Sequence, residues 1–188
     1  MKINLITQNP LKIKAACSVF TKYDIQLSTI KNDYPEIQAS TSLEIAKYTA
    51  LEVAKRLNTP TIREDQSLFI HALNLPGPYV FYVEKILPAE KVIEICRKFK
   101  DNTGHFEVAS VIAFPSGETF EYVYQVPLTF GFEIKGKNPI GWDGIIRLLD
   151  ETRAIAEYPE DERLHIWSRG YEKIAEYISK KIDLKKNI

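Results

Sequence analysis

Apolar and polar positions along the chain form alternating segments of short and helical period, and most of the fold can be read from their order. Ile3-Asn4-Leu5-Ile6 is a short strand, stopped by the polar run Thr7-Gln8-Asn9-Pro10. Pro10 suits the first turn of a helix, where its missing N–H would be unpaired in any case, so a helix is expected over 11–21. The stretch 24–30 alternates as a strand. Ser40 or Thr41 can cap a second helix, with Glu44 placed for a capping box and Ile45, Leu51, Val53, Ala54 and Leu57 forming its stripe. Thr61-Ile62 leads into Glu64-Asp65, and a strand resumes at Ser67-Leu68-Phe69-Ile70. Pro76-Gly77-Pro78-Tyr79 marks a break. Helices are expected over 80–87 and 89–99, then β runs over 105–115 and 118–126 joined by Ser116-Gly117 as a hairpin. A third β segment is expected over 130–134, a glycine-rich loop over 136–144, and one amphipathic helix over 160–182.

Helices and strands alternate early and strands cluster late, which predicts an α/β fold with a mixed sheet rather than a purely doubly wound one. With 188 residues, the chain is long enough to bury a sizeable core as a single domain over 1–188, and the hairpin suggests a second lobe at roughly 104–135. A hydrophobic content of 45% argues against disorder. The 25 basic and 25 acidic residues cancel, so no global field draws the protein to nucleic acid or to an anionic membrane. Any polyanion must be held by local placement of charge. Cys17 and Cys96 form no metal or disulfide pattern and are expected as buried thiols. No apolar run is long enough for a membrane span, which makes the cytoplasm the expected location.

Four groups of residues could carry chemistry. Thr7-x-Asn9-x-x-Lys12 sits between the first strand and the first helix, where unpaired backbone N–H groups favour phosphate; Asn9 as a plain cap and Lys12 as a solvated cation is the structural alternative. Glu64-Asp65, with Glu36 from a separate loop, could hold Mg²⁺ through a few carboxylates plus phosphate oxygens, or could be solvated acids. Gly141-Trp142-Asp143-Gly144 could stack a base and accept from its edge, or could be a core Trp beside a turn Asp. Arg163, Ser168 and Arg169 lie on the last helix as further polar candidates or as its solvated face. His71, His105 and His165 share no spacing and are expected to be structural or surface groups.

The order of these groups is more specific than any one of them. The succession Thr7-x-Asn9-x-x-Lys12, Pro35-Glu36-x-Gln38, Glu64-Asp65-x-x-Leu68, Ala72-Leu73-x-x-Pro76-Gly77-Pro78-Tyr79, Gly141-Trp142-Asp143, Ala156-Glu157-x-Pro159 and Ser168-Arg169 resembles the inosine triphosphate pyrophosphatase family over nearly the whole chain. The Gly-Pro-Tyr and Trp-Asp elements are closer to its eukaryotic and archaeal branch. The resemblance implies an elongated mixed twisted sheet flanked by helices, two lobes with a deep central cleft, and a homodimer. It implies hydrolysis of inosine and xanthosine triphosphates and their deoxy forms to monophosphate and pyrophosphate with Mg²⁺. Carried over by position, Thr7, Asn9 and Lys12 would hold the triphosphate and Lys47 would face it. Glu36 and Asp65 would take the metal, with Asp65 as base supported by Glu64. Trp142 and Asp143 would face the base, joined by Arg163, Ser168 and Arg169. Several positions depart from the family pattern. Trp167 stands where the family has the histidine of Ser-His-Arg, Ile140 replaces a stacking aromatic, Gly144 replaces a proline, and Arg163 replaces a lysine. These departures fall mostly on base-facing positions, so a different nucleotide, or a nucleotide-binding protein with little turnover, stays open as an alternative.

Overall fold

The structure is a computed structural model and describes residues 1–31, 34, 36–148 and 151–186. Pro35 of the Pro35-Glu36 motif lies outside them. The elements are β1 (Lys2–Ile6), α1 (Pro10–Phe20), β2 (Gln26–Ile30), α2 (Ser42–Leu57), β3 (Thr61–Ile70), β4 (Leu75–Gly77), α3 (Val80–Ile86), α4 (Ala89–Phe99), β5 (Thr103–Ala113), β6 (Thr119–Phe130), β7 (Ile146–Leu148), α5 (Leu164–Trp167) and α6 (Arg169–Lys186). Strand order is β2-β1-β3-β5-β6-β7, with β4 paired to β3. β1 is parallel to both β2 and β3, whereas β4 on β3 and β7 on β6 are antiparallel. The mixed α/β class expected from the sequence is borne out.

Two compact units divide the chain. One comprises 1–65, 109–124 and 163–188; the other comprises 66–108 and 125–162. The stretch 104–135 is therefore shared between them.

The first unit is layered by the period-two alternation of its strands. On β5, Ile112 belongs to a cluster with Ile3, Leu5, Phe20, Ile62 and Tyr171, whereas Val111 and Ala113 belong to another with Ala46, Ala50 and Ala54 of α2. Neighbouring strand residues point to opposite faces, so α1 and α6 cover one face and α2 the other. α2 starts as its sequence predicts. The Thr41 hydroxyl accepts from Glu44 N–H at 3.2 Å, and Glu44 Oε2 accepts from Thr41 N–H at 3.2 Å.

Three sequence expectations are corrected. The β segment expected over 130–134 does not form. β6 instead runs through Pro127 to Phe130, and its added partner is β7, with Leu128 opposite Leu148. The last helix is not continuous over 160–182: a 3₁₀ turn over Glu160–Arg163 and the short α5 precede α6, and Ser168 separates α5 from α6. Cys17 is exposed, because it lies on the outward face of α1, and only Cys96 is buried.

Candidate active site

The site in the first unit grows from strand register. Ile6 at the end of β1 pairs with Arg63 on β3, so the segment leaving β1 runs beside Glu64 and Asp65. β1 lies between β2 and β3, and the chain crosses over to either side of it through α1 and α2. The carboxyl end of such a central parallel strand is where open α/β sheets commonly bind ligands.

The Thr7–Lys12 segment is built there by local hydrogen bonds. The buried Thr7 hydroxyl accepts from Asn9 N–H at 3.0 Å, and Asn9 caps α1 by accepting from Leu11 N–H at 2.9 Å. Asn9 is thus the cap that the sequence allowed, with its remaining polar capacity at the exposed start of α1. One turn on, Lys12 Nζ lies 3.4 Å from Glu64 Oε1 and donates to the Glu64 carbonyl at 3.3 Å. Glu64 is buried, and burial pushes its carboxyl above the ordinary value against the opposing pull of Lys12. The fully buried Tyr171 of α6 faces the same carboxyl; burial first, and the Glu64 charge second, raise its phenol well above the usual range.

Glu36 and Asp65 converge on a cation, and that cation is Arg63. Its Nη2 donates to Glu36 Oε1 at 2.8 Å and lies 3.6 Å from Asp65 Oδ1. The guanidinium packs 5.2 Å from the Tyr34 ring centre, and its Nη1 reaches the Ile6 carbonyl at 3.5 Å. The Arg63 side chain is only 8% exposed, and its buried Nε has no hydrogen-bond partner among the described residues. Two carboxylates from separate segments are the right donors for Mg²⁺, but the guanidinium already takes the place between them. A resident divalent ion does not fit the pair as it stands.

The remaining candidates of this unit are placed individually. Lys47 is held by Glu121 of β6 at 2.8 Å. Arg163 is buried at the end of the 3₁₀ turn. Ser168 is buried between α5 and α6, donating toward Glu172 Oε1 at 3.0 Å. Arg169 is exposed at the start of α6, 5.8 Å from the ring centre of Tyr124. That hold is reinforced because the Tyr124 hydroxyl donates to the Ile166 carbonyl at 3.0 Å.

Trp142 and Asp143 belong to the second unit. Trp142 is 1% exposed and its indole N–H donates to the Leu87 carbonyl at 2.8 Å. The ring anchors its loop and has no open face on which a base could stack. Gly141 precedes it at φ +54°, and a Cβ there would strike the Glu84 carboxylate. Burial, and then the Asp143 charge, raise the Glu84 carboxyl.

Sequence reading missed three features. Arg63 sits inside a strand, with no local signal that it answers Glu36. Tyr171 falls within the amphipathic helix expected over 160–182, where nothing local marks it as facing Glu64. His71 and His105, without common spacing, meet at 2.8 Å between Nε2 and Nδ1, and Phe69 stacks on His105.

In fold, the chain is an α/β protein like a Ham1 protein from Coxiella burnetii, with a TM-score of 0.80 at 21% identity over 96% of this chain and 99% of that one. It belongs to the Ham1 family, whose model matches residues 3–173. A dITP/XTP pyrophosphatase from Thermococcus kodakarensis is 32% identical over 90% of this chain and 92% of its own length. Another from Ignicoccus hospitalis is 30% identical over 95% and 97%. The family likeness expected from the motif order is borne out.

Proposed function

We propose that the protein is a nucleoside-triphosphate diphosphatase that hydrolyses inosine-, deoxyinosine- and xanthosine-type triphosphates to monophosphate and pyrophosphate. The observation that carries this reading is the junction of α1 with β3, where Lys12 meets Glu64 beside the start of a helix and Asp65 is the next residue of the strand. Polyphosphate needs cations and N–H donors; hydrolysis needs a carboxylate to take a proton from water. Full-length relatedness to proteins called dITP/XTP pyrophosphatases supports the same substrates.

In this reading Thr7, Asn9 and Lys12 hold the triphosphate, and Lys47, Arg163 and Arg169 add positive charge toward the nucleotide. Asp65 takes the proton of a water that attacks the α-phosphorus. The bond from that phosphorus to the bridging oxygen breaks, and pyrophosphate leaves with its charge balanced by Lys12. Glu64, held against Lys12, fixes the lysine in place. Ser168 joins α5 to α6 and so fixes where Arg169 starts. Trp142 holds its own loop through its N–H on the Leu87 carbonyl. Glu36 and Asp65 are the residues that would hold a Mg²⁺ bound to the triphosphate, which would neutralise charge on the phosphates. The exposed aromatic face of α3 supports a homodimer, the absence of net charge supports a small-molecule substrate rather than nucleic acid or a membrane, and the cytoplasm is the matching location. No described helix is long and apolar enough to cross a membrane.

The test is pyrophosphate release from a panel of triphosphates with Mg²⁺. Release from inosine, deoxyinosine and xanthosine triphosphates well above that from ATP and GTP is expected, and Asp65→Asn should lower kcat by about a hundredfold or more. Full activity in Asp65→Asn would remove Asp65 as the base. Release from none of the panel would end the functional reading.

A further inference from the structure

The acids assigned to a metal already have a counter-charge supplied by the chain. Glu36 and Asp65 both lie against Arg63 Nη2, at 2.8 and 3.6 Å, and Lys12 answers Glu64 at 3.4 Å. The Arg63 guanidinium is held from four directions: by Glu36, by Asp65, by the Tyr34 ring and by the Ile6 carbonyl. Its position is also fixed by the fold, since Arg63 stands opposite Ile6 in the β1–β3 ladder and its side chain is largely enclosed. A long cationic side chain in a mostly buried place needs partners, and here those partners are the carboxylates that would otherwise coordinate an ion. Glu36 is 62% exposed, so its carboxylate can turn away without opening the core, while Asp65 and Arg63 stay enclosed.

We propose that Arg63 is an internal counter-cation of the Glu36–Asp65 pair, occupying the place of a divalent ion and keeping the nucleotide-free protein from binding one. Metal then engages this pair only when a nucleotide brings it, as the triphosphate draws the guanidinium toward its own charge and releases the carboxylates. Arg63 thereby acts twice: as a gate on free metal, and as a phosphate-facing cation once the nucleotide is bound. Arginine suits both roles, because its fork can leave a carboxylate for a phosphate without losing charge. This deepens the reading above and rests on the Glu36–Asp65 pair being the cation-binding part of that site.

The experiment is Mn²⁺ titration of the metal-stripped full chain without nucleotide, with free Mn²⁺ followed by electron paramagnetic resonance. Wild type should bind weakly. Removing a unit charge a few ångströms from two carboxylates should tighten Mn²⁺ binding by about tenfold or more in Arg63→Met. Arg63→Lys, which keeps the charge, should stay near wild type. Melting curves establish that each variant is folded, and Arg63→Gln replaces the methionine variant if that one is not. A folded neutral variant that binds Mn²⁺ no more tightly than wild type overturns the proposal, and so does low-micromolar binding by wild type alone. If neither neutral variant folds, the wild-type titration decides: weak binding supports the proposal and tight binding overturns it. Pyrophosphate release by wild type with unchanged Mn²⁺ affinity in the neutral variant would sink this inference and leave the functional reading standing. Tightened Mn²⁺ binding without any release would do the reverse.

Discussion

At the scale of single residues, the site is a compact balance of charge. Glu64 bears the cost of burial: its carboxyl is raised by desolvation more than Lys12 lowers it. In the unfolded chain it ionises near its ordinary value of 4.5. Between that value and the higher folded one, the native state holds a proton that the unfolded state has lost, so stability falls as pH rises across the window. The contribution of Glu64 is therefore fully favourable below the unfolded value and is lost as pH rises through the folded one. Glu64→Gln removes this titration and little else in shape. The melting temperature of wild type relative to Glu64→Gln should rise as pH is lowered from about 7 to about 5. A difference that stays constant across those pH values would mean that Glu64 is ionised throughout.

At the scale of elements, α6 comes close to β5 at Gly170. A Cβ on Gly170 would fall on the Ser110 hydroxyl and within 2.6 Å of the Ser110 Cβ, both in the buried interior. Gly170→Ala should therefore cost about 1–3 kcal/mol in urea denaturation, and Ser110→Gly in the same chain should restore most of it. Wild-type stability in the single variant would show that helix and strand can part at no cost. Gly170 follows Ser168-Arg169 directly, so the same close approach fixes where the polar residues at the start of α6 stand. Elements governed by nearby residues were readable from sequence. Thr41 and Glu44 are three positions apart, and the capping box formed as their spacing requires. Thr7, Asn9 and Lys12 lie within six consecutive positions and came out as one segment running from the end of β1 into α1. Where distant partners decide, the pattern misled. The β run expected over 118–126 extends further, because the buried positions Tyr124, Val126, Leu128 and Phe130 keep their alternation through Pro127, which itself points outward. β7 has three residues, too few to show any period. Arg63 was silent for the same reason. Its meaning comes from Glu36, 27 positions away, and from register with Ile6, neither of which leaves a local trace.

At the scale of the whole molecule, the surface carries an imbalance that a second copy would remove. No residue of α3 is buried. Phe81, Tyr82 and Ile86 are exposed on it, Ile86 to 82%, and Leu75 and Tyr79 just before it are exposed as well. One such side chain would be ordinary; five within twelve positions form an apolar face of the kind that marks an interface. Lys85 lies 3.5 Å over the Phe81 ring, a polar margin beside an aromatic centre, as interfaces commonly have. A chain without net charge has no long-range repulsion to keep copies apart, so the face is free to pair with itself about a twofold axis. Sedimentation of the wild type should then give a dimer, and Ile86→Glu should give a folded monomer that melts lower only by the share of stability that association contributes, because that side chain adds almost nothing to its own core. If wild type sediments as a monomer at every concentration, the face serves something other than self-association. If Ile86→Glu stays dimeric, the twofold contact lies elsewhere on the molecule.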